Sequence, residues 1–214
     1  MSLSHIDHLV YAVPDLARGA AVVGELLGID PIAGGRHEGF GTANFLVAIG
    51  KRCYLEVIGP DPQQPDHAGG RPFGVDLVAE PKLVTWAAKV SNLERRVASV
   101  RAAGCDPGSI LSMGRSRADG SHLDWRLAVP EATLQGGPLP GDGLVPFLID
   151  WGDSPHPADQ MPQACSLLEL RAAHPEPDLV QPMLQAFQVD MGVVWAEFPT
   201  LTAVIETPQG RVEL

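Results

Sequence analysis

Cysteine is scarce in this 214-residue chain: there are three, Cys53, Cys105 and Cys165, odd in number and widely spaced. That excludes a disulfide framework and matches no zinc-knuckle spacing, so each reads as a small buried hydrophobe. Basic charge is short as well. Lys and Arg number 15 against 26 Asp and Glu, for a formal net charge of -11, and no cluster of lysine and arginine forms a stripe along any segment. Nucleic acid and anionic membrane are therefore poor partners. No apolar run approaches the ~18 residues of a membrane span, and the opening Met1-Ser2-Leu3-Ser4-His5-Ile6-Asp7 lacks the charged-then-apolar pattern of a signal peptide. A cytoplasmic location is the default expectation. Also missing are a Gly-x-Ser-x-Gly elbow, a Gly-Lys-Ser/Thr phosphate loop and a Gly-x-Gly-x-x-Gly run before a helix, which removes the usual serine-hydrolase and nucleotide signatures.

What is there suits an ordinary globular core, with 45% hydrophobic and 19% charged residues. The first unit opens with the β-branched, apolar run Ile6 to Val13 and turns at Pro14-Asp15 into a helix carrying Leu16, Val22, Val23, Leu26 and Leu27. Asp15 is placed to cap that helix and Gly28 to stop it. A Gly-rich passage from Gly34 to Gly41 leads to a strand over Asn44 to Ile49, a tight turn at Gly50-Lys51 and a strand over Cys53 to Ile58. From Pro60 to about Gly74, Pro, Gly, Gln and Asp dominate, and the stretch reads as a linker or mobile loop.

A second unit repeats the order. Leu83 to Val90 is a strand, Ser91-Asn92 cap a helix with Leu93, Val97 and Val100 on one face, and Gly104 stops it. Two strands flank a turn at residues 115–120, the second running from His122 to Val129, and Val145 to Trp151 supplies the last. A third copy then follows, with a strand over Ser166 to Ala173, a helix over Pro177 to Val189 and strands over Val193 to Phe198 and Leu201 to Glu206. The period of about 80 residues is too long for a solenoid and suits a few stacked supersecondary modules. The expectation is α+β: tandem βαβββ modules at about 5–59 and 83–151 within a unit spanning 1–158, and a C-terminal βαββ half-module at 163–214 packed on the same unit.

The first opening, Ile6-Asp7-His8-Leu9-Val10-Tyr11-Ala12-Val13-Pro14-Asp15-Leu16, aligns in pattern with Leu83-Val84-Thr85-Trp86-Ala87-Ala88-Lys89-Val90-Ser91-Asn92-Leu93. Together with Gly41-Thr42-Ala43-Asn44 and Tyr54-Leu55-Glu56, in that order, it resembles the glyoxalase-like branch of the vicinal-oxygen-chelate superfamily. The resemblance runs over about residues 5 to 151 and is strongest in the first unit. It implies a pair of modules forming a curved, mixed and antiparallel sheet around a cleft, which in many members holds a metal. It also implies that the positions of His8 and Glu56 supply ligands.

Strand alternation puts His8 with Ile6 and Val10, and Glu56 with Tyr54 and Ile58. If the first and last strands of the unit are neighbours, imidazole and carboxylate converge on one divalent transition metal, Zn, Mn, Fe or Ni, rather than on Ca. Asp150 is a third candidate ligand, one place out of register, and Thr85 stands where a second histidine would. His37, His122 and His156 are loop alternatives, each more simply a solvated side chain. Glu56 doubles as the candidate catalytic proton carrier. His37, Asn44, Arg126 and Trp151 are the candidate substrate contacts, with Arg126 read as either an anion partner or a solvent-facing strand residue. The four tryptophans, Trp86, Trp125, Trp151 and Trp195, line a pocket or fill the core.

Three functions fit. One is a metal-assisted lyase, isomerase or dioxygenase acting on a small oxygenated molecule. Another is a metal-free protein that binds and sequesters a small molecule. The third is a dimerising scaffold, since strand edges in such modules pair between chains and allow a homodimer.

Overall fold

The computed structural model describes residues 3–116 and 122–214, so most of the turn expected at 115–120 lies outside the described residues. The first βαβββ module comprises β1 (Ile6–Ala12), α1 (Leu16–Leu27), β2 (Ile32–His37), β3 (Thr42–Gly50) and β4 (Cys53–Pro60). The second comprises β5 (Lys82–Lys89), α2 (Leu93–Ala102), β6 (Ser109–Ser116), β7 (His122–Val129) and β8 (Phe147–Asp150). The helix ends fall where the capping residues put them. Asp15 accepts from the Arg18 backbone N–H and Asn92 from that of Arg95, while Gly28 closes α1 in the left-handed region at φ 66°. The Gly-rich passage is more structured than its composition suggests, because β2 runs through it and pairs with β3.

All eight strands join one curled sheet in the order β2-β3-β4-β1-β5-β8-β7-β6. Each module pairs its first strand in parallel with its last, and the modules meet where β1 runs antiparallel to β5. The register preserves the internal repeat: Val10 pairs with Thr85 and His8 with Ala87, as a two-fold relation of the aligned openings requires. It also shows what replaces Glu56 in the second module. Val10 pairs with Glu56, and Ala87, the aligned partner of Val10, pairs with Phe147.

Alternation along the strands separates two apolar layers. Ile6, Leu9, Leu55, Val57, Trp86 and Leu148 pack beneath α1 and α2, whereas Val10, Leu46, Tyr54, Ile58, Phe147 and Trp151 belong to the concave side. One break in the pattern matters. Ile6 pairs with Ala88 and His8 with Ala87, two steps on β1 against one on β5, so Asp7 sits in a bulge. Strict alternation puts Asp7 opposite His8; the bulge instead brings both side chains together.

The segment after β4 is no linker. Asp61 is buried and takes the Arg36 guanidinium at 2.7 Å, Gln64 bonds the His37 carbonyl, and a 3-10 helix at Pro72–Leu77 buries Phe73 and Val75 in the concave layer. Phe73 holds a left-handed backbone, φ 57°, a conformation a bulky side chain adopts only when its surroundings fix it.

The C-terminal region has β9 (Ser166–His174), α3 (Pro177–Ala186), β10 (Val193–Trp195), β11 (Thr200–Thr207) and a further short strand, β12 (Gly210–Glu213). Its own sheet, β10-β9-β11-β12, pairs β9 directly with the strand after the helix. The first two modules never do so. Element order thus repeats a third time while strand pairing does not. Leu170, Ala203 and Leu184 from this region join the layer beneath the large sheet. Among the described residues no helix is long and apolar enough to cross a membrane.

Candidate active site

The concave face of the sheet forms a cavity whose floor carries His8 from β1, Glu56 from β4 and Asn44 from β3. The remaining wall comes from β7, β8 and the 3-10 segment, through Trp125, Phe147, Trp151 and Phe73. His37, at the end of β2, and Trp151 also line it, so four of the predicted contacts, His8, His37, Asn44 and Glu56, share one end of the cavity with Trp151 facing them.

Asp7 organises this end. Fully buried, it accepts from His8 Nδ1 at 2.8 Å, Trp151 Nε1 at 3.1 Å and His156 Nε2 at 3.2 Å. The proton positions follow from what each partner can do. His156 Nδ1 accepts from the Ala158 backbone N–H, so its proton is on Nε2 and points at Asp7. Asp7 as a carboxylate only accepts, so neutral His8 carries its proton on Nδ1. The Nε2 lone pair of His8 is left facing the cavity, 3.8 Å from Glu56 Oε2. Burial acts to raise the Asp7 pKa, but the hydrogen bonds from His156 and His8 outweigh it and hold the carboxyl well below the usual carboxylate range.

Asn44 fixes Glu56 by the same logic. The Asn44 side-chain oxygen accepts from the Gly35 N–H at 2.9 Å, which turns its NH2 toward Glu56 Oε1 at 2.5 Å. Its amide is therefore committed to holding a carboxylate rather than to a substrate carbonyl. Gly34 makes room for it: a Cβ there would overlap the Asn44 side-chain oxygen and crowd Leu46 Cγ at 2.9 Å. Gly34→Ala is expected to displace Asn44 at a cost of about 1–3 kcal/mol for the overpacking, measured by denaturant unfolding. Asn44→Ala should free Glu56 without that overpacking.

Two predicted residues sit elsewhere. On β7, Trp125 and Leu127 line the cavity, so Arg126 between them points away and binds Asp150 Oδ2 at 3.2 Å and Glu94 of α2. Asp150 is likewise flanked by the cavity residues Ile149 and Trp151 and spends its other oxygen on the Gly152 N–H. This charge cluster braces α2 against the sheet. Strand parity thus turns both away from the cavity, Arg126 as in its solvent-side reading and Asp150 as its one-residue offset in register requires. Of the tryptophans, Trp86 is core and Trp195 is 72% exposed. The His122 side chain lies outside the described residues.

A family model described as a glyoxalase-like domain matches residues 6–187. The chain belongs to the glyoxalase-like domain family. Its paired modules, curled around one cavity, are the vicinal-oxygen-chelate arrangement. No curated protein matches this glyoxalase-like chain. A hypothetical protein from Staphylococcus aureus has a similar fold, with a TM-score of 0.70 at 13% identity over 96% of this chain and 92% of that one. Methylmalonyl-CoA epimerase from Mycobacterium tuberculosis aligns at a TM-score of 0.41 and 18% identity over 69% of this chain and 87% of that one.

In this glyoxalase-like site the residues do not fit a chelated transition metal. The first module sets the Nε2 atoms of His8 and His37 3.8 and 3.9 Å from the two oxygens of Glu56, but the second-module positions corresponding to His8 and Glu56 are Thr85 and Phe147. Among the described residues no three His, Cys, Asp or Glu side chains come together as a metal-holding group. Strand alternation hid Asp7, while His156, read as a solvated loop histidine, is instead buried against it. The available signal was a carboxylate inside an otherwise apolar strand, which has to be partnered where it is buried.

Proposed function

We propose that this glyoxalase-like protein is a metal-independent enzyme that moves a proton on a small, largely apolar molecule, as an isomerase or lyase does. The observation that carries the reading is the buried Asp7, which fixes His8 with its basic Nε2 toward the cavity. A carboxylate behind an imidazole sets its tautomer and stabilises the imidazolium formed when the base takes a proton. Here His8 Nε2 removes the proton from a carbon beside a carbonyl. Glu56, 3.8 Å away, favours the resulting imidazolium by its charge, and His8 returns the proton to finish the turnover. Apolar walls exclude water from the exchange.

The test is deuterium exchange followed by NMR. Incubated in heavy water with a panel of aryl ketones bearing acidic α C–H groups, α-amino ketones among them, the wild type is expected to incorporate deuterium above background. His8→Gln should lower that rate by roughly 10²–10⁴-fold, the usual contribution of general acid–base catalysis. Chelator treatment should leave it unchanged, and a rate lost to chelator and restored by Zn or Mn would return the metal-assisted reading.

A second reading, metal-free sequestration of a small molecule, is favoured by the apolar Phe147 at the second-module position equivalent to Glu56. Binding of panel members without exchange by the wild type would establish it over catalysis.

A further inference from the structure

The polar end of the cavity carries a buried carboxylate and histidine nitrogens but no lysine or arginine among the described residues. Glu56 Oε1 takes the Asn44 amide, but Oε2 has no hydrogen-bond partner among the described residues and opens on the cavity. His8 Nε2, 3.8 Å from Oε2, is an acceptor as well because its proton is committed to Asp7, and His37 Nε2 lies 3.9 Å from Oε1. The other buried carboxylates meet cations or several N–H donors: Asp61 has Arg36, Asp150 has Arg126, and Asp7 has three donors. Glu56 has no cation, and no lysine or arginine among the described residues lines the cavity. A carboxylate left with unmet acceptor capacity in a largely apolar site calls for a charged donor.

The walls suit the same occupant. Trp125 and Trp151 lie with ring centroids 5.4 Å apart, and Phe73 stacks on Phe147 at 5.1 Å, giving flat apolar surfaces within one cavity. Aromatic faces attract cations and stack on planar frameworks. An anionic ligand would meet Glu56 and, behind His8, Asp7, in a chain of net charge -11.

We propose that the cavity takes an organic cation, a protonated amine on a flat apolar framework, with its ammonium on Glu56 Oε2 and its rings against Trp125 and Phe73. This names the substrate class for the proton-transfer reading and rests on it for one detail only. With the ammonium on Glu56, the adjoining carbon faces His8 Nε2, because the two acceptors are spaced for neighbouring atoms. Its proton passes to His8 and returns to the same or a neighbouring carbon.

Binding without turnover tests the class separately from the chemistry. Three probes share one framework and differ in charge: 2-naphthylmethylammonium, 2-naphthylmethanol and 2-naphthoate, titrated calorimetrically into the full chain near neutral pH. The ammonium is expected to bind at least roughly tenfold tighter than the alcohol, the size of one desolvated charge-assisted contact, and the naphthoate not measurably. In Glu56→Gln, checked by its melting curve to be folded, the ammonium should fall to the level of the alcohol while the alcohol is unchanged. Equal or tighter binding of the alcohol or the naphthoate, no binding of any of the three, or a preference that survives in Glu56→Gln overturns the assignment. None of these outcomes depends on deuterium exchange, so a failed exchange experiment leaves the ligand class standing and a failed titration leaves His8 as the proton carrier.

Discussion

Asp7→Ala is expected to destabilise the chain by about 3–5 kcal/mol in denaturant unfolding, the cost of breaking a buried charged group away from its partners. The side chain is fully buried, and three donors converge on it, His8 from β1 and Trp151 and His156 from the segment after β8. Removing it leaves all three N–H groups without an acceptor in a place water does not reach. Each such group costs on the order of 1–3 kcal/mol, so the figure does not need the full sum. Asp7→Asn preserves the volume and one acceptor but sets an NH2 against at least one N–H, so it should fall between wild type and alanine. A loss below about 1 kcal/mol for the alanine variant would show that the network is not what holds β1 against the end of β8.

The same carboxyl controls the acid side of the stability curve. Its folded pKa is depressed, with the His156 and His8 hydrogen bonds overcoming the opposing effect of burial. A depressed carboxyl contributes its full stabilisation above the unfolded value of about 3.9, where both states are ionised. As pH falls below that value the unfolded chain takes up the proton first, and the contribution drains away at up to about 1.4 kcal/mol per pH unit until the folded pKa is reached. Wild-type stability should therefore drop steeply below about pH 4, and Asp7→Asn should lack that part of the drop. In the exchange assay, Asp7→Asn should lower the rate with little effect on probe binding, because it disturbs the His8 tautomer and leaves Glu56 in place.

That network was only half legible in the sequence, and the reason is local geometry. His8 and Glu56 could be placed because strand parity and the first-with-last strand pairing predict a shared face, and β1 and β4 are in fact neighbours. Asp7 could not, because a bulge changes parity at one residue and leaves no compositional mark in Ile6-Asp7-His8. Parity also decided Arg126 and Asp150, each flanked by two cavity residues and so turned the other way. The stretch from Pro60 to Gly74 has the composition of a linker, but Phe73 and Val75 at its end anchor it in the concave core, and long-range bonds to Arg36 and His37 do the rest. In the C-terminal region, hydrophobic period revealed a strand, a helix and more strands. Which strand pairs with which depends on contacts far apart in sequence, so the repeat there holds in order and not in pairing.

Trp86→Ala is expected to cost about 3–5 kcal/mol, at the high end for a single core truncation. Trp86 is fully buried on β5, directly opposite Leu9 of β1, so it fills the layer under the seam where the two modules join. It is also tied at its polar end, donating Nε1–H to the Leu144 carbonyl at 2.9 Å. That carbonyl follows Gly143, whose left-handed backbone, φ 94°, lies against the Val84 carbonyl where no Cβ fits, so the 3-10 turn leading into β8 is pressed onto β5 at this point. Trp86→Phe separates the two contributions. It keeps most of the apolar volume and leaves the Leu144 carbonyl buried without its donor, for about 1–3 kcal/mol. If the alanine and phenylalanine variants lose the same amount, the hydrogen bond rather than the packed ring secures the seam. If alanine loses several kcal/mol more, the ring does, and the cavity above it should loosen with it. Phe147, two residues past Val145 on the segment that Trp86 holds, forms the wall facing His8 at a ring separation of 5.4 Å. Titration of 2-naphthylmethylammonium into Trp86→Ala under conditions where it remains folded should then show weaker binding, although Trp86 itself never reaches the cavity.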